Sequence, residues 1–87
     1  MSQPPVTIYT TGWCPYCQRA KQLLAQRGLA YTEIDVEATS GARTEMETRS
    51  GRRTVPQVFI GTRHVGGCDD LHALDNSGEL QRIIEGE

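Results

Sequence analysis

Between Val6 and Val36 the side-chain period switches from strand to helix and back to strand, and no other feature of the chain constrains its fold as much. Val6-Thr7-Ile8-Tyr9-Thr10 is β-branched and aromatic, as suits a pleated, half-buried strand. From Pro15 the apolar positions recur at helical spacing, at Cys17, Ala20, Leu23 and Leu24, and Gly28 supplies a stop. Alternation resumes over Ala30–Val36. A right-handed crossover pairs two such strands in parallel, so the fold class is α/β.

The rest of the chain adds elements to this unit. Ser40 is expected to cap a second helix running to about Arg49, with Ala42 and Met46 as its apolar face and Gly51 as its end. Val58-Phe59-Ile60, preceded by Pro56, reads as a strand that Gly61-Thr62 turns into Arg63-His64-Val65, an antiparallel hairpin. A third helix is expected from Cys68-Asp69-Asp70, with Asp as a cap and Leu71 and Leu74 inward, ending before Ser77-Gly78. Leu80, Ile83 and Ile84 form a last helical face. With 87 residues, 37% of them hydrophobic, a single domain over residues 1–87 is expected.

Cys14-Pro15-Tyr16-Cys17 falls where the first strand gives way to the first helix. Unpaired N–H groups and the positive end of the macrodipole favour a thiolate at a helix start, which makes Cys14 the candidate nucleophile. Cys17 lies one turn on, close enough to close a disulfide, and is the candidate resolving thiol. Pro15 suits the first turn because its missing N–H would be unpaired there. A zinc site is the competing reading, but Cys68, His64 and His72 supply no second ligand pair at finger spacing. A structural disulfide is weaker still, since a three-residue span constrains the unfolded chain little.

The N-terminus lacks a basic start followed by an apolar run, and no segment approaches the ~18 apolar residues of a membrane span. A soluble, cytoplasmic protein with no membrane partner is expected, and in that compartment a Cys pair is more often reactive than structural. Net charge −2 gives no electrostatic case for nucleic acid. Arg43, Arg49, Arg52 and Arg53 nonetheless cluster where they can serve a small anionic ligand.

Four segments then fall into one pattern: Cys14-Pro15-Tyr16-Cys17, Arg49-Ser50-Gly51-Arg52-Arg53, Thr54-Val55-Pro56-Gln57-Val58-Phe59-Ile60 and Gly66-Gly67-Cys68-Asp69-Asp70-Leu71. Their order and spacing resemble those of bacterial class I dithiol glutaredoxins over nearly the whole chain, and Gly28 and Tyr31 match as well. The resemblance implies a thioredoxin-like fold, a four-stranded mixed sheet flanked by helices, with a cis peptide at Pro56 facing the Cys pair. It implies a glutathione-disulfide oxidoreductase with catalytic Cys14 and Cys17, no tightly bound cofactor and glutathione as reductant. Its substrates are then protein disulfides and glutathionylated proteins, ribonucleotide reductase among them. Glutathione reductase and NADPH support it indirectly, and a monomer is expected.

By the same resemblance the Val55 backbone pairs with the cysteinyl part of glutathione, and Thr54, Pro56, Gly67 and Cys68 flank the groove. Tyr16 borders it, Asp69 receives the γ-glutamyl end, and Arg43 reaches the glycine carboxylate, for which a guanidinium is well shaped. Asp69 also reads as a plain helix cap, Arg43 as a solvated side chain, and Cys68 chiefly as a small residue filling the helix base. Tyr9 reads as core and His64 as structural. Trp13 either shapes access to the nucleophile or covers the helix end. One departure stands out: Thr11 occupies a position where many class I glutaredoxins carry Lys, so anion recognition falls more heavily on Arg43, the helix end and Arg53. Competing functions are a glutaredoxin-like electron donor reduced by thioredoxin reductase, a glutathione-ligated iron–sulfur cluster carrier, which Pro15 disfavours, and a passive glutathione-binding adaptor.

Overall fold

The computed structural model describes residues 3–85. Along the chain lie β1 (Val6–Thr10), α1 (Pro15–Gln26), β2 (Thr32–Asp35), α2 (Ala42–Ser50), β3 (Gln57–Ile60), β4 (Arg63–Gly66), α3 (Cys68–Asn76) and α4 (Glu79–Ile84). The strands form one mixed sheet in the order β2-β1-β3-β4. β1 runs parallel to β2 and antiparallel to β3, with Tyr9 opposite both Ile34 and Gln57. β4 closes the sheet as the antiparallel hairpin expected after Gly61.

Side-chain alternation on the two inner strands builds two cores. Val6 and Ile8 of β1, with Val58 and Ile60 of β3, pack against Ala20, Leu23 and Leu24 of α1, Cys68 and Leu71 of α3, and Leu80 of α4. Tyr9 and Phe59 face the other way, onto Ala42 and Met46 of α2. Helices therefore cover both faces, with α2 alone on one. The Tyr9 ring is fully buried, as expected, but its hydroxyl is not idle: it donates to the Glu45 carboxylate and accepts from Arg49 Nη1 at 2.8 Å. Arg49 also stacks 4.1 Å above the Phe59 ring. Arg49 thus belongs to the α2 layer and not to an anion site.

Two boundaries differ from the sequence reading. Ser40 does not cap α2; the N-cap is Gly41, at φ 80°, and no side chain bonds the helix start. The approach is a backbone turn, with Ala42 N–H donating to the Thr39 carbonyl at 3.1 Å, and its left-handed residue is the glycine. β2 is shorter than Ala30–Val36, because Ala30 N–H is taken by Gln3 Oε1 and the Asp35 carboxylate accepts from Glu37 and Ala38 N–H, turning the chain. No helix among the described residues is long and apolar enough to cross a membrane.

Candidate active site

β1 is an inner strand, and the chain leaving its end delivers Cys14 to the N-cap of α1 with extended dihedrals (φ −149°, ψ 119°). Its carbonyl accepts the first helical bond from Gln18 N–H at 3.0 Å. All three cysteines are free thiols, and their environments differ. Cys14 is half-buried, with the exposed Trp13 and Tyr16 close by in sequence, whereas Cys17, on the inward face of α1, is fully buried. Burial, more than any other cause, pushes the Cys17 thiol up to about 12; a hydrogen bond from the Thr11 backbone opposes this, and the adjacent Cys14 sulfur reinforces it. The outer thiol is placed to attack while the inner one keeps its proton.

That placement has a consequence for stability. A thiol whose proton is held more tightly in the folded state stabilises the fold fully below its unfolded value near 9.0, and the benefit declines as pH rises towards about 12. Reduced protein should lose stability progressively over that window from this one proton. Tyr9, raised mainly by burial, adds to the loss at the alkaline end. Urea titrations of wild type and Cys17→Ala should show the Cys17 share of the slope gone in the variant.

Beside the Cys pair runs an open cleft of about 240 Å³. Arg52, Thr54, Val55 and Pro56 line it together with Gly67 to Asp70 and with Tyr16, two residues after Cys14. The Val55-Pro56 peptide is cis, as the resemblance implied. Of the residues expected along a ligand groove, Tyr16, Thr54, Val55, Pro56, Gly67, Cys68 and Asp69 come together here. Arg43 does not line the cleft; its guanidinium donates to the Arg53 carbonyl at 3.4 Å. The cation in the cleft is Arg52, with Nη1 3.0 Å from Asp70 Oδ2.

Asp70 was legible only as a cap. Its Oδ2 accepts from Gly67 N–H at 2.9 Å, and this bond, followed by the Arg52 guanidinium, holds the carboxyl below the usual range. The same carboxylate fills the space that a side chain at residue 66 would need, and Gly66 has φ 121°, which is why the chain passes here on glycine. Cys68 is buried in the larger core as well as lining the cleft, and burial followed by the Asp69 charge pushes its thiol up. The Cys68 side chain thus belongs to the core and to the cleft lining at once. Among the described residues no group of three or more His, Cys, Asp or Glu side chains is placed to hold a metal ion.

The glutaredoxin family model matches residues 6–65. The chain is 53% identical over 81 residues to a glutaredoxin of Pseudomonas aeruginosa, covering 93% of this chain and 96% of that one. The chain belongs to the glutaredoxin family. The solution structure of a Brucella melitensis glutaredoxin superposes with a TM-score of 0.83 at 55% identity, covering 97% of this chain and 91% of that one. A buckwheat glutaredoxin–glutathione complex gives 0.86 at 33% identity, over 94% and 77% of the two chains. The fold is thus thioredoxin-like, and this glutaredoxin is a thiol-disulfide oxidoreductase whose family uses glutathione as its reductant.

Proposed function

We propose that this glutaredoxin reduces glutathione mixed disulfides through Cys14 alone and protein disulfides through Cys14 and Cys17 together. The observation that carries this reading is the half-buried helix-start Cys14 one turn before a buried Cys17, next to a cleft lined by Val55, Pro56 and the start of α3. With a glutathionylated protein, the Cys14 thiolate attacks the glutathione sulfur and the protein thiolate leaves with the bond's electron pair. A glutathione thiolate then attacks the glutathione sulfur on Cys14, giving glutathione disulfide and regenerating Cys14. With a protein disulfide, Cys14 forms a mixed disulfide with one substrate sulfur. Cys17 then loses its proton and attacks Cys14, the substrate leaves as a dithiol, and two glutathiones reduce the Cys14–Cys17 disulfide. Once its sulfur is in the mixed disulfide, Cys14 can no longer carry a negative charge that opposes ionisation of Cys17, while the larger effect of burial stays.

The cleft supports the glutathione assignment through complementary chemistry. Val55, next to the cis Pro56, brings its backbone to the cleft where a peptide ligand can pair with it, Asp69 and the α3 start suit an α-amino-acid end, and Arg52 suits a carboxylate. Arg43, on α2 and bonded to the Arg53 carbonyl, serves that carboxylate at longer range in this reading. A working monomer in the cytoplasm fits it, where glutathione reductase and NADPH keep the pool reduced.

Reduction of a small glutathione mixed disulfide, coupled to glutathione reductase and NADPH, tests the reading against thioredoxin reductase as electron source. Turnover is expected with the first and not the second, and the reverse result overturns the glutathione assignment. Thr11→Lys should tighten glutathione binding severalfold at low salt, since it adds a cation near an anionic ligand, with the gain shrinking as salt is raised. An affinity unchanged at both ionic strengths would show that position 11 does not sense the ligand.

A further inference from the structure

Gln57 is a fully buried polar side chain, immediately after Pro56, whose amide spans from the outer hairpin to the cleft wall. Its Nε2 donates to the Thr54 carbonyl at 2.9 Å and to Thr54 Oγ1 at 3.2 Å. A carbonyl only accepts, so the amide nitrogen must face Thr54 and Gln57 Oε1 must face away. That oxygen lies 2.7 Å from His64 Nε2 on β4. Since Oε1 too can only accept, Nε2 must carry a proton, which fixes the tautomer of a neutral His64. The imidazole is itself held by the Phe59 ring, with centroids 4.9 Å apart. Burial, and then the Arg52 guanidinium, push its pKa below the ordinary histidine value, favouring that neutral ring near neutral pH.

The chain of donors therefore runs His64 to Gln57 to Thr54, and ends on the loop whose next residue is Val55. We infer that Gln57 and His64 are positioning residues that fix the Thr54-Val55 backbone in the orientation a substrate's peptide backbone must meet. This rests on the glutathione reading of the cleft, because the ligand that would feel the loop is the cysteinyl segment of glutathione. Neither side chain lines the cleft. Their effect belongs in substrate affinity, leaving the chemistry at Cys14 untouched.

Three variants test this against a glutathionylated peptide: Gln57→Leu, which removes both ends of the relay, and His64→Leu and His64→Gln, which probe its outer end without emptying the core. Gln57→Leu is expected to raise KM for the peptide about fivefold or more with kcat within about twofold, and to leave the rate of Cys14 alkylation by iodoacetamide unchanged. His64→Leu should raise KM less, and His64→Gln, which keeps a donor towards Oε1, should restore much of it. An unchanged KM in folded Gln57→Leu overturns the inference, as does a parallel loss of kcat and alkylation rate in all three variants. A cysteinylated peptide run in parallel separates the two readings. If wild type does not prefer the glutathionylated form, the glutathione assignment fails. The positioning role is then decided by the Thr54 and Val55 amide resonances, which must shift in Gln57→Leu and in His64→Leu if it holds, and refute it if they stay in place.

Discussion

Cys14→Ser is expected to abolish both deglutathionylation and protein-disulfide reduction, leaving rates at the uncatalysed background. Disulfide exchange needs a sulfur to carry the mixed disulfide, and a serine oxygen cannot supply that bond. Neither remaining thiol can deputise. Cys17 is fully buried with its proton held up to about 12, and Cys68 is packed into the core with its thiol also raised by burial. The coupled glutathione reductase assay checks this directly, and full turnover by the variant would sink the assignment of Cys14 as nucleophile.

Cys17→Ser should divide the two activities. Deglutathionylation is expected to persist within a few-fold of wild type, because its second thiol arrives from solution. Protein-disulfide reduction should fall by about two orders of magnitude or more, since a well-placed intramolecular group can reach effective concentrations of ~10⁵ M and above, which free glutathione cannot match. Mass spectrometry should trap the substrate as a mixed disulfide on Cys14. If both activities fell together, Cys17 would be structurally necessary or Cys68 would be competing for the mixed disulfide. A Cys17→Ser, Cys68→Ser double variant distinguishes these outcomes by restoring deglutathionylation only in the second case.

Much of this molecule was legible before any coordinates, for reasons that are local. The α1 face at Cys17, Ala20, Leu23 and Leu24 is read off helical spacing, and each of these side chains is buried. The hairpin at Gly61 and the stop at Gly28 follow from glycines that do take positive φ. What escaped depends on partners distant in sequence. Arg49 and Arg52 look alike in a basic cluster, yet one packs on Phe59 and the other reaches Asp70, and only tertiary packing separates them. Gln57 has no assigned part in the sequence, and its role emerges only when Thr54 and His64 are seen on either side of its amide. Ser40 carried a sound capping signal that lost to a left-handed glycine one residue later.

The pairing of β1 with β3 has one more consequence. Because these strands are antiparallel with Tyr9 opposite Gln57, the end of one and the start of the other meet at the same margin of the sheet. Reactivity is written into the chain by residue 17, whereas the cleft walls are written between residues 52 and 70. The two halves of the machine are therefore separate in the gene and are brought together by the β1–β3 register and by the packing of α1 on α3. A slip of two residues in that register would carry the thiols about 7 Å along the strand from the wall that selects among disulfides. A polypeptide truncated before β3 would hold the complete dithiol but, Tyr16 apart, none of the residues that line the cleft. Discernment arrives only when the later half of the chain docks.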